Sequence, residues 1–158
     1  DIRIQDSCEV PSDFHPRFQK TTKTYEYRIL NRRFPDPTRR LNSFFYYYPL
    51  DVVKMQEASL YLVGEHDFKS FCTEKPEVTN TVRTIYSLNV IKEGDMIIIR
   101  VTGNGFLYNM VRIMVGTVLQ SLSGRIKEPV ADIIGSHDRS RAGCTVPAQG
   151  LYLNRVFY

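Results

Sequence analysis

The chain has 158 residues, 21 Lys+Arg against 17 Asp+Glu, a formal charge of +4 and 42% hydrophobic residues. That length suits a single domain, residues 1–158, able to bury roughly two thirds of its unfolded surface, and the composition argues against a disordered tail or a coiled coil. Three cysteines, Cys8, Cys72 and Cys144, with no C-x-x-C pair, argue against a disulfide framework or a Cys-type zinc site and predict a reducing compartment. No Met and no basic-then-apolar leader opens the sequence, so the expectation is no signal peptide and a start inside a longer protein.

Ile2, Ile4 and Cys8, with polar residues between them, predict a first strand, and Thr24 to Leu30 alternates as a second. Pro11 to Phe18 reads as a loop or one helical turn. Asn31 to Asn42, broken by Pro35 and Pro37, reads as an exposed connection. A helix follows, with Asp51 as N-cap, Leu50 and Met55 placed as a hydrophobic staple, an apolar stripe through Val52, Met55, Ala58, Ser59 and Leu62, and Gly64 as the stop. Phe68 to Phe71 reads as a short extended piece. Thr84 to Ile91 and Met96 to Thr102 flank Glu93-Gly94-Asp95 as a hairpin. The longest helix is predicted over Leu107 to Leu122, a shorter one over Pro129 to Ser136, and a closing strand over Leu151 to Phe157. Locally paired strands with helices between them predict an α+β fold, a mixed or antiparallel sheet with helices packed on one face.

Charge is uneven along the chain. From His15 to Arg40 there are eight Lys and Arg against Glu26 and Asp36, a local +6, interleaved with Phe18, Tyr25, Tyr27 and Phe34. Such a pattern can pair with phosphates and stack on unpaired bases, or it can be an Arg-rich solvated loop beside a strand with inward aromatics.

Between Asn104 and Ser123 only Arg112 is charged among 20 residues. A membrane span is disfavoured by Asn104, Asn109, Gln120 and Arg112 itself, so this is a core helix. An unpaired interior charge costs several kcal/mol, and Tyr108, Asn109, Val115 and Gly116, one helical turn away, offer no acid. The anion has three possible sources: a distant carboxylate such as Asp67, a carboxylate outside this chain, or a ligand phosphate. An ion pair within the chain, or an arginine head in water, is the plain structural alternative. The histidines His15, His66 and His137 have no metal-site spacing, no G-x-S-x-G elbow occurs, and Gly103-Asn104-Gly105 lacks the third glycine of a dinucleotide loop.

Four ordered segments carry a resemblance. They are Asp13 to Phe18 with Lys23-Thr24-Tyr25-Glu26-Tyr27; Gly64 to Phe71; Gly105 to Arg112 with Ile113 to Gly116; and Asp138-Arg139, Ala142-Gly143 and Pro147 to Leu153. In order and spacing these resemble the TruA-type tRNA pseudouridine synthases along nearly the whole chain. Enzymes of that family carry the catalytic aspartate in a Gly-Arg-Thr-Asp-type motif of an N-terminal domain, and no Arg-Thr-Asp occurs here. The resemblance therefore implies a C-terminal domain whose nucleophilic aspartate lies on a missing domain, so that this fragment alone is inactive.

Arg112 then matches the ion-pair partner of that aspartate, and Tyr25 matches the tyrosine that stacks on the target uracil. Gly150, Leu151 and Leu153 match the closing motif whose leucines pack against the base pocket; as plain strand core they would look the same. Phe14, His15, Arg17, Phe18, Lys75, Thr79 and Arg83 fall where family members touch tRNA, although Phe14 and Phe18 could simply anchor the loop. The implied reaction is conversion of uridine to pseudouridine in the tRNA anticodon stem-loop, with no cofactor and no metal, by a cytoplasmic homodimer. The alternative is a stand-alone RNA-binding module without chemistry.

Overall fold

The computed structural model describes residues 2–16, 21–73 and 79–158. Its centre is β1 (Thr22–Asn31), which pairs along one side with β5 (Met96–Gly103) from Lys23↔Gly103 to Leu30↔Met96. The other side of β1 is shared. Its first half pairs antiparallel with β6 (Leu151–Phe157), and Ile29–Asn31 pair in parallel with β2 (Phe44–Tyr46). Beyond β5 come β4 (Val82–Glu93) and then β3 (Gly64–Asp67), both antiparallel to their neighbours. The result is a mixed six-stranded sheet.

Because side chains alternate along a strand, Tyr27 and Ile29 of β1, Ile97, Ile99 and Val101 of β5, and Ile85 and Leu88 of β4 share one face and are buried. Three helices join that core: α1 (Val52–Leu60), α2 (Met110–Leu122) and α3 (Val130–Ser136), through Met55, Met114, Val118 and Ile133 among others. The architecture is α+β, as anticipated. The opposite face is polar at its centre. Glu26, 5% exposed, accepts from Arg100 Nε at 2.9 Å and Nη2 at 2.7 Å, from Arg28 at 3.3 Å and from Asn154 at 2.8 Å.

Local chemistry explains several boundaries. The Asp51 carboxylate accepts from the Val53 and Lys54 amides at 3.0 and 3.2 Å, a cap that contributes about 1 kcal/mol. The β4–β5 hairpin turns at Gly94-Asp95, with Gly94 at φ +59°, a conformation that glycine enters without Cβ strain.

Other boundaries correct the expectations. Residues 2–8 form no strand: Ile2 and Ile4 are 99% and 83% exposed, because alternation yields a strand only where another strand satisfies its backbone groups. Helix α1 ends at Leu60, before Gly64. Phe68–Phe71 is not extended. The extended piece is Gly64–Asp67, and Lys69–Phe71 is a 3₁₀ turn whose Lys69 amide bonds the Asp67 carboxylate at 3.0 Å. Three-residue periodicity puts Phe68 and Phe71 on one side of that turn, and both are fully buried. Helix α2 starts at Met110 rather than Leu107, because Asn109 adopts a left-handed conformation at φ +62°.

Candidate active-site cleft

A cleft of about 340 Å³ opens where the first turn of α2 faces the ends of β1 and β6. It is lined by Tyr25 and Leu151 from the sheet, by the Phe106–Arg112 stretch and by Ala148. Tyr25 is half-buried, and Phe106 braces its ring edge-on at 5.1 Å between centroids. Burial raises the Tyr25 phenol above its ordinary value, so the ring presents a neutral aromatic surface.

Arg112 is half-buried and lines this cleft. Its Nε donates to the Val146 carbonyl at 2.7 Å and its Nη1 to Asn109 Oδ1 at 2.8 Å. Both acceptors are neutral. Among the described residues no carboxylate lies within 4.0 Å of this guanidinium, so it is oriented but its charge is not matched. Asp67 is not its partner: it bonds the Thr81 hydroxyl and the Lys69 amide and faces His137 at 3.9 Å. Of the three anion sources open from the sequence, Asp67 is thereby removed, and no other carboxylate among the described residues takes its place.

The supporting loop is held by close backbone packing. The Gly143 amide donates to Thr117 Oγ1 at 2.8 Å, which in turn donates to the Ile113 carbonyl at 2.8 Å. Gly116 of α2 lies against the Cys144 carbonyl, with no space for a side chain between them. Sequence reasoning named Gly116 and Gly143 but missed their role, and it missed Asn109 as a clamp. An Asn three residues before a lone helix arginine is a usable signal for that clamp, since Asn tolerates the left-handed conformation better than most residues.

The remaining site residues are dispersed. Leu153 pairs with Tyr25 across the β1–β6 ladder but is 52% exposed and stands outside the cleft lining. Gly150 is buried against Tyr27. Arg83, half-buried, bonds the Asn80 and Val82 carbonyls at 3.0 and 2.6 Å and passes beside Gly105 at the entrance to the Phe106–Arg112 stretch. Phe14 packs edge-on against Tyr158 at 5.3 Å, His15 is exposed, and so is Thr79. Arg17, Phe18 and Lys75 lie outside the described residues.

Much of the basic stretch is internally engaged: Arg28 by Glu26, Arg32 by Asp95 at 3.6 Å, Arg40 by the Pro37 carbonyl, and Arg33 over the Phe34 ring. Cys72 is buried and donates its thiol to the Lys69 carbonyl at 3.4 Å, whereas Cys8 and Cys144 are exposed. Among the described residues no group of three His, Cys, Asp or Glu could hold a metal ion, and no helix is long and apolar enough to cross a membrane.

A family model described as tRNA pseudouridine synthase matches residues 58–158. The tRNA pseudouridine synthase A of Thermoanaerobacter sp. (strain X514) is 45% identical over 159 aligned residues, covering all of this chain and 65% of the relative. That of Halalkalibacterium halodurans is 47% identical over 98% of this chain and 59% of its own length. For Anoxybacillus flavithermus the figures are 47%, 100% and 64%. The chain thus spans about three fifths to two thirds of the length of these relatives.

Proposed function

The chain belongs to the tRNA pseudouridine synthase family, and from that premise we propose that it is the C-terminal domain of an enzyme that isomerises uridine to pseudouridine in the tRNA anticodon stem-loop. In that reading the catalytic aspartate resides on a segment outside this chain and enters the cleft beside Arg112. The observation that carries the proposal is the Arg112 guanidinium, fixed by Val146 and Asn109 yet left without an acid among the described residues, in the same cleft as Tyr25.

The chemistry follows from those placements. A guanidinium held in a partly water-excluded cleft stabilises the ionised aspartate and lowers its pKa. Its two neutral bonds keep the remaining donor edge turned to the incoming carboxylate, so little reorganisation is needed when substrate arrives. The uridine is extruded from its stack, as for other enzymes that act on a base, and the Tyr25 ring supplies the surface on which uracil stacks. The N1–C1′ bond breaks with its electron pair staying on N1, the base rotates against Tyr25 and Leu151, and C5 bonds to C1′; C5 then gives up its proton and N1 takes one up, so that the product is an isomer of the substrate. In the same reading Arg83, Thr79, Phe14 and His15 contact the RNA, together with Arg17, Phe18 and Lys75, which lie outside the described residues. The same reading carries a homodimer and a cytoplasmic setting; light scattering on the whole enzyme tests the first.

The decisive assay joins this chain to the aspartate-bearing segment and follows tritium release from tRNA labelled at uridine C5. Arg112→Ala is expected to lower turnover about a thousandfold, the loss of a fixed charge in a site of this kind, while tRNA binding persists. Activity equal to the parent would remove the assigned role. The chain alone is expected to bind tRNA without turnover; pseudouridine formed by it alone would refute the placement of the aspartate. The second reading, an RNA-binding module without chemistry, draws on the +6 stretch from His15 to Arg40, and it predicts that joining the segment restores nothing.

A further inference from the structure

One fully buried polar side chain has no part in the reading above. Tyr27, 0% exposed in the middle of β1, donates its hydroxyl to the Pro147 carbonyl at 2.6 Å. The adjacent carbonyl, that of Val146, accepts the Arg112 Nε at 2.7 Å, and the Val146 amide returns a longer bond of 3.5 Å to the Arg112 carbonyl. Two consecutive carbonyls therefore connect the central strand to the unmatched guanidinium. Pro147 stiffens the link, its ring holding φ at −54°.

The ring of Tyr27 does further work next to this link. A Cβ built on Gly150 would lie 2.8 Å from Tyr27 Cζ and 2.9 Å from the Arg28 carbonyl, so the Gly150 backbone rests directly on the ring. The next residue, Leu151, stands opposite Tyr27 in the β1–β6 register and lines the cleft. We propose that Tyr27 is a positioning residue for the isomerisation: by fixing the Val146–Gly150 segment it sets where the Arg112 guanidinium and the Leu151 wall stand relative to Tyr25. The proposal rests on the assignment of Arg112 and Tyr25 to the reaction.

A purely space-filling role would be served by phenylalanine, which brings no buried hydroxyl needing a partner. Tyr27 instead spends that hydroxyl on the one loop that holds Arg112. Burial drives its phenol well above the ordinary range, against a downward pull from Arg112 and with a further rise from Cys144. The hydroxyl therefore stays protonated, and able to donate, at neutral pH.

Tyr27→Phe in the whole enzyme is expected to lower kcat about tenfold, as a small misplacement of a catalytic group does, with KM for tRNA changed less than about twofold. Gln56→Ala is the stability control. It removes the side chain that bonds the Leu88 carbonyl and the Val90 amide at 3.0 and 2.8 Å, tying α1 to β4 away from the cleft, and is expected to lower the unfolding midpoint while leaving kcat unchanged. An unchanged kcat in Tyr27→Phe, a rise in KM alone, or an equal fall of kcat in Gln56→Ala would overturn the proposal.

Proton exchange of the Arg112 Nε–H, followed by NMR in the same protein, gives a readout independent of turnover. It is expected to be protected in the parent and at least about tenfold faster in Tyr27→Phe. An unprotected Nε–H in the parent overturns the proposal even if the variant does not fold. An enzyme that forms no pseudouridine would sink the functional reading instead, and the Nε–H exchange would still decide whether Tyr27 holds Arg112.

Discussion

Replacing Gly116 by alanine adds a single methyl group at the seam between α2 and the loop that holds Arg112. In an exposed helix interior this change stabilises by about 1 kcal/mol, since glycine has the greater backbone freedom to lose. Here the added Cβ would overlap the Cys144 carbonyl oxygen and sit 3.0 Å from its carbon. Relief requires the loop to withdraw by on the order of 1 Å, well beyond ordinary contact adjustment. Overpacking of this kind costs about 1–3 kcal/mol. The withdrawal also loosens the Gly143–Thr117 and Arg112–Val146 bonds, at roughly 1 kcal/mol each. After the helix-propensity gain is subtracted, a net destabilisation of about 2–4 kcal/mol remains, or a fall in the unfolding midpoint of about 5–15 °C for a domain of this size. Thermal unfolding followed by circular dichroism measures it. Gly135→Ala is the internal contrast: Gly135 is on the exposed side of α3 with nothing within 4 Å of an added Cβ, and the change is expected to stabilise by about 0.5–1 kcal/mol. Two variants of equal stability, or a stabilised Gly116→Ala, would refute the packing argument.

Glu26→Gln removes the countercharge of Arg28 and Arg100, whose side chains are 38% and 44% exposed. With solvent screening of those heads the expected loss is about 1–2 kcal/mol, and an unchanged urea midpoint would contradict it. Tyr25→Phe retains the ring braced by Phe106 and is expected to keep turnover within about tenfold of the parent, whereas Tyr25→Ala loses the stacking surface, worth roughly 1–3 kcal/mol. Equal turnover in the two variants argues against stacking. Arg83→Ala is expected to weaken tRNA binding and to lower the slope of log K against log salt by about one; an unchanged slope places Arg83 off the phosphates.

The carboxyl of Asp36 is held below its ordinary value of 3.8 by the Thr38 hydroxyl and amide, and that of Asp138 by Ser140 in the same way. Folded values below unfolded ones mean that these turns gain stability fully present above pH 3.8 and lost as the pH falls through the lower folded value. Asp36→Asn and Asp138→Asn should each reduce the acid-side loss of stability in unfolding titrations from pH 6 to pH 2.

Elements whose cause is local were legible in the residues. The alternation of β1, the Gly94 hairpin, the Asp51 cap and the closing strand Leu151–Phe157 all depend on neighbours within a few positions. A charge alone in an apolar helix marked Arg112 as the group whose partner had to be sought, because electrostatic cost depends on composition before it depends on geometry. Long-range pairing was not legible. Ile2–Cys8 alternates as convincingly as a strand yet finds no partner, while Phe44–Tyr46 pairs with β1 in parallel because β6 leaves that half of the edge open.

Residue identity alone determined that this chain forms an α+β domain with a lone arginine in an otherwise uncharged helix, since burial and charge are properties the side chains carry with them. The choice of Asn109 and Val146 to orient that guanidinium, the exclusion of Asp67, and the separation of Tyr25, which faces the cleft, from Tyr27, which faces the core, belong to the tertiary structure. Those outcomes depend on which surfaces meet across 34 or 120 residues of chain, and alternation along a strand says only that two tyrosines share a face, not what will be packed against each.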